Sequence, residues 1–106
     1  MNLLTQNGET LLVTLPEEID HHCTRVLADK IDRAIMASNF TGVVFDFTGT
    51  RFMDSSGIGL LVGRYRKLNS LGGQISIQGM NPHMTKILQL SGIEKIIGKY
   101  EGTKCK

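Results

Sequence analysis

Two cysteines, Cys23 and Cys105, are all the thiol chemistry these 106 residues carry, and they lie far apart. A disulfide-stapled secreted scaffold is therefore excluded, and a reducing cytoplasm is the expected compartment. Aromatic residues make up only 6% of the chain, and no run of lysine or arginine occurs. With a formal net charge of just +2, no direct nucleic-acid binding is expected, since it needs a basic track and rings on which bases stack. No apolar run approaches the roughly 20 residues that cross a bilayer. The start, residues 1–6, lacks the basic and apolar regions of a signal peptide, so no membrane association is expected. Repeats, low-complexity tracts and linkers are missing too. What is present is 41% apolar, enough for one compact domain over residues 1–106 to bury a core without metal or disulfides.

Strand and helix signals alternate along the chain. Residues 3–5 and 10–15 read as a hairpin, with Asn7-Gly8 as its tight-turn signal and Pro16 as its stop. Asp20 caps a helix whose apolar face is Leu27, Ile31, Ala34 and Ile35. Residues 39–42 end it, and residues 42–47 are continuous enough in apolar side chains for a central strand covered on both faces. A second helix runs from about Ser56 to Leu71. Its stripe is Ile58, Leu61, Val62, Tyr65 and Leu68, with Arg64, Lys67 and Asn69 on the wet side, and Gly72-Gly73 terminates it. Tyr65 and the methionines lie at core spacing. Residues 74–78 alternate as a half-buried or edge strand. Asn81-Pro82 opens a third helix with Met84, Ile87 and Leu88 on one face, closed by Ser91-Gly92. Residues 94–99 supply a last short strand around Ile96-Ile97. The order β, β, α, β, α, β, α, β predicts an α/β fold, a small mixed β-sheet with helices packed mainly on one side.

Sites in such folds form where strands end and helices start. Two turns fit: Asp20-His21-His22 and Asp54-Ser55-Ser56-Gly57-Ile58-Gly59. If both lie at the same end of the sheet, they make one surface. A helix start offers unpaired N–H groups and a positive dipole end, so a phosphate on a serine there would be held. The same serines suit plain capping, with Asp54 adding favourable charge near the dipole. Gly57 and Gly59 cost about 1 kcal/mol each relative to alanine in a helix, which close approach of a neighbour or partner, or a loose first turn, accounts for. His21 and His22, with only Cys23 near, match no zinc spacing and read as solvated loop or partner contact, so no metal is expected. A Ser-His-Asp hydrolase can be drawn from Ser55, His21 or His22, and Asp20 or Asp46, but the turn lacks a G-x-S-x-G elbow.

Glu18-Ile19-Asp20-His21-His22 and Phe52-Met53-Asp54-Ser55-Ser56-Gly57-Ile58-Gly59 carry a resemblance, joined by Gly63-Arg64-Tyr65 and by residues 84–92. On these the chain resembles the STAS-domain anti-anti-sigma factors, most closely their sporulation branch, over nearly its whole length. The resemblance implies a single STAS domain that is a cytoplasmic binding module and not an enzyme, with no cofactor, monomeric when free. It also implies partners. The unphosphorylated form docks on an anti-sigma factor that is an ATP-dependent serine kinase, freeing its sigma factor. Phosphorylation releases the antagonist, and a PP2C-type phosphatase reverses it.

Carried onto this sequence, the acceptor is Ser55, Asp54 is its acidic neighbour, and Asp20 meets a basic partner surface. His21, His22, Ser56, Gly57 and Ile58 complete the partner-binding set. Asp20→Lys is then expected to weaken docking and leave the fold intact. The alternative is a STAS module of a stress-response complex, or a ligand- or nucleotide-sensing scaffold. Relatives usually continue into a further C-terminal helix, and this sequence stops soon after residues 96–100. Phosphate on Ser55 adds about −1.5 to −2 charges beside Asp54. A penalty of about 3 kcal/mol for desolvating it under a partner weakens binding by roughly a hundredfold or more. The expected switch is local, electrostatic and steric.

Overall fold

A computed structural model of the chain describes residues 3–38, 40–93 and 99–100. The elements are β1 (Leu4–Asn7), β2 (Thr10–Thr14), β3 (Glu18–Ile19), α1 (His21–Ala37), β4 (Gly42–Asp46), β5 (Phe52–Met53), α2 (Ser56–Ser70), β6 (Gln74–Gln78), α3 (Pro82–Ser91) and β7 (Lys99–Tyr100). Five strands form one mixed sheet in the order β1-β2-β4-β6-β7, in which only β1 runs antiparallel to its neighbour. The hairpin turn is Gly8-Glu9, one step past the expected Asn7-Gly8, because Gly8 takes the positive φ of 65° that the first turn position needs. The expected last strand around Ile96-Ile97 lies outside the described residues, apart from Lys99, which pairs with Ser76. Among the described residues no helix is long and apolar enough to cross a membrane.

Alternation along the strands decides where the core sits. Leu11 and Val13, Val43 and Phe45, and Ile75 and Ile77 are all buried on one sheet face. Leu27, Ile31 and Ile35 of α1, Leu60, Leu61 and Leu68 of α2, and Met84 and Leu88 of α3 close over it. The opposite face, where Leu12, Val44 and Ser76 stand in register, is only half-buried. Cover on both faces of β4 is thus not realised: its run of apolar residues feeds one core and one partly wet face. β6 is not an edge strand, since β7 flanks it.

The helix ends follow the chemistry of their residues. Asp20 caps α1 by accepting from the Cys23 N–H at 2.8 Å, and Asn81 caps α3 by accepting from the Met84 N–H at 2.8 Å. At the end of α2, Gly73 N–H donates to Leu68 O and Gly72 N–H to Asn69 O, with Gly72 left-handed at φ 83°. The face of α2, however, is turned from the expected stripe. Gly57, Leu60, Leu61 and Leu68 point inward, and Ile58, Val62 and Tyr65 are half-buried. Arg64 and Lys67 do not face solvent alone. The Arg64 side chain is only 13% exposed, with Nε 3.0 Å from Asp32 Oδ1 of α1, and Lys67 Nζ lies 3.6 Å from Asp32 Oδ2. A long cationic stem fills helix–helix space while its head finds a carboxylate. Met36, expected at core spacing, is 72% exposed.

Candidate functional site

Two residues of β3 and two of β5 make a second, parallel sheet, with Glu18 opposite Phe52 and Ile19 opposite Met53. Strands this short have no period to read, so sequence patterning does not reveal them. Ile19 and Met53 are buried beneath the pair. Arg51 and Phe52 N–H groups donate to Glu17 O (2.7 and 3.2 Å), and the Asp54 N–H donates to Ile19 O (3.1 Å). The Thr50 hydroxyl adds a bond to Pro16 O at 2.8 Å. Each strand hands the chain directly to a site turn: β3 to Asp20, β5 to Asp54. The two turns therefore lie side by side at one end of the molecule, as a shared surface requires.

Within the second turn the two serines differ. Asp54 Oδ1 accepts from the Ser56 N–H at 2.9 Å and also from the Ser56 hydroxyl. Ser55 stands at the cap position with helical angles (φ −64°, ψ −17°), and its side chain makes no capping bond. A capping hydroxyl needs an extended backbone to reach back to the helix, so plain capping does not describe Ser55, which is exposed. The Gly57 N–H donates to Asp54 O and the Ile58 N–H to Ser55 O. With the Ser56, Gly57 and Ile58 donors engaged, this helix start offers a phosphate on Ser55 its dipole charge, not a free set of N–H groups.

The Asp54 carboxyl is held below its ordinary value of 3.8 by the Ser56 hydroxyl first, then by the Ser56 N–H, with the nearby His21 adding to both. Burial pushes the Cys23 thiol up, and the Asp20 charge pushes the same way. Gly57 is buried because a Cβ there would run into Met53 Sδ and Cγ, so glycine lets α2 seat on β5. No such neighbour explains Gly59, where a Cβ would meet nothing within 4 Å.

His21 and His22 are both exposed but diverge. His21 faces the space between α1 and α2 beside Ser56, while His22 lies with Val26 and Lys30 on the outer side of α1. Among the described residues no side-chain hydrogen bond links Ser55 to either histidine. Asp20 is exposed, yet one of its oxygens is the α1 cap, so Asp20→Lys would also cost fold stability. Ile58 is half-buried. Sequence alone assigns Phe52 no place, inside or at the surface. It is 52% exposed beside the site, and its neighbour Met53, buried in the same strand, was the only available signal.

A family model described as the STAS domain matches residues 3–104. The anti-sigma F factor antagonist of Paenibacillus polymyxa is 35% identical over 91 residues, 86% of this chain and 78% of the relative. That of Lysinibacillus sphaericus is 38% identical over 85 residues, 80% of this chain and 73% of the relative. Among solved structures, the anti-sigma factor antagonist SpoIIAA in its unphosphorylated form matches with a TM-score of 0.81 and 33% identity, covering 91% of this chain and 84% of its own. The phosphorylated form of Bacillus SpoIIAA matches with a TM-score of 0.74 and 34% identity, covering 91% and 87%.

Proposed function

The chain belongs to the STAS-domain family, and from that membership we propose that it is an anti-sigma factor antagonist switched by phosphorylation of Ser55. In its unphosphorylated state it docks, through the paired turns around Asp20 and Asp54, on an anti-sigma factor with serine kinase activity and so frees a sigma factor. Phosphorylation of Ser55 ends that binding, and a PP2C-type phosphatase restores it. The domain regulates by partner exchange and catalyses nothing itself. The observation that carries the reading is the contrast between neighbours. The Ser55 side chain is exposed and makes no hydrogen bond among the described residues, whereas the Ser56 hydroxyl is bound to Asp54. Relatives at 35% and 38% identity named as anti-sigma F factor antagonists support it.

The physical mechanism follows from the turn. A phosphate on Ser55 sets a second negative group beside the Asp54 carboxylate, where the first N–H groups of α2 are already used. Repulsion and bulk then fall on whatever covers the turn, and no refolding is needed. The test is incubation with the host's anti-sigma factor and ATP, site mapping, and binding before and after modification. Phosphate on Ser55, absent in Ser55→Ala and accompanied by loss of affinity, is the expected result. A modified Ser56 or undiminished affinity would refute the switch as stated.

A further inference from the structure

Beside the acceptor turn, between the first turns of α1 and α2, lies an open groove of about 380 Å³. Its floor is small and apolar, formed by Ala28, Gly59 and Leu60, while His21, Arg25 and Arg64 stand along it and no carboxylate of the described residues lines it. Arg64 is committed to Asp32 at 3.0 Å. The Arg25 side chain has no ion pair or hydrogen bond among the described residues, and neither does that of His21. Gly59 leaves the floor bare. Among the described residues nothing requires glycine there, at an exposed helical position where alanine is the better helix former. Because His21 and Ser56 edge both the groove and the acceptor turn, a partner that covers Ser55 covers the groove as well.

Resting on the reading of the chain as an anti-sigma factor antagonist, we propose that this groove receives an acidic side chain of the anti-sigma factor, whose carboxylate meets Arg25 and His21 and whose stem lies over Gly59. Charge complementarity selects the occupant. Arg25 is a cation without an ion pair among the described residues, His21 beside it already feels the Asp54 carboxylate, and the arginine offers an incoming carboxylate a bidentate fork. The turns alongside present Asp20 and Asp54, so the docking face alternates acidic turn with basic groove. Such a pattern sets the register of a complex and rejects partners of uniform charge.

The experiment titrates the full-length unphosphorylated protein with the host's anti-sigma factor by calorimetry at several salt concentrations. Arg25→Glu reverses the groove wall, and Gly59→Leu fills the floor without meeting a neighbour in the free domain. Each is expected to weaken binding about tenfold or more, with thermal midpoints at or above wild type for the Gly59 variants. Gly59→Ala, a smaller intrusion, gives a smaller loss in the same direction. Arg25→Glu also flattens the salt dependence of affinity. Wild-type affinity in both Arg25→Glu and Gly59→Leu overturns the groove and leaves the antagonist reading standing. Loss in Gly59→Leu alone overturns the acidic occupant. Absence of binding by the wild type overturns the inference and the reading together.

Discussion

Asp54 and Ser56 occupy each other. One carboxylate oxygen takes both the Ser56 N–H, at 2.9 Å, and the Ser56 hydroxyl, and Ser55 between them takes part in neither bond. Adjacent serines are thereby divided into one that builds the helix start and one whose side chain makes no capping bond. Ser56→Ala is expected to lower unfolding stability by about 1 kcal/mol, while Ser55→Ala stays within about 0.5 kcal/mol of wild type. Urea unfolding of the two variants reads this directly, and equal losses would make both hydroxyls structural.

Acid should expose the same interaction. A carboxyl held below its ordinary value in the folded state contributes stability that is fully present above that ordinary value and is lost as pH falls through the lowered one. The stability gap between wild type and Asp54→Asn is therefore expected to be constant from about pH 7 to about pH 5 and to shrink below about pH 4. Paired denaturation curves across that range check it. A gap that widens in acid has the wrong sign.

Asp20 separates cap from charge. Asp20→Asn keeps a side-chain oxygen for the Cys23 N–H and removes the negative charge, so it should weaken partner docking at near wild-type stability. Asp20→Ala loses both and should also cost about 1 kcal/mol of stability. Equal affinity of Asp20→Asn and wild type would take the Asp20 charge out of the interface.

The two glycines of the first turn of α2 should respond in opposite directions. Gly57→Ala drives a Cβ into the buried Met53 side chain and should destabilise by about 1–3 kcal/mol. Gly59→Ala meets nothing within 4 Å and should stabilise by up to about 1 kcal/mol. Thermal melts of the pair decide it.

Between α1 and α2, Arg64 and Asp32 are close but poorly aligned for a hydrogen bond, and both atoms are shielded from water. Both side chains keep some exposure, so screening limits the pair, and Arg64→Ala or Asp32→Ala should each cost about 1–3 kcal/mol. Replacing both by leucine should recover much of either loss, as a double-mutant cycle would show.

Much of this is legible in the sequence. Asp20 and Asn81 read as caps because their short acceptors reach a backbone N–H three residues on, and Gly72 reads as a stop because it suits a left-handed position. The β-α alternation carries the strand directions, since each crossover returns the chain parallel, whereas the order β1-β2-β4-β6-β7 is seen only in the fold. The place of Arg64 is not legible, because spacing puts a charge toward water while its partner Asp32 sits on another helix and leaves no local trace. Spacing alone does not distinguish Ser55 from Ser56, and only the family resemblance singles out Ser55. Which of them Asp54 engages depends on the dihedral angles of Ser55, not on spacing. The β3–β5 pair was invisible because four residues define no period.

That small pair has a consequence for when the protein can act. Ile19 and Met53 are brought together from 34 positions apart, and the paired surface at Asp20 and Asp54 exists only while they are joined. A chain that has not yet joined β3 to β5 does not hold the two turns in this arrangement. Under the proposed switch, a kinase that needs both turns would act on folded molecules and pass over unfinished ones.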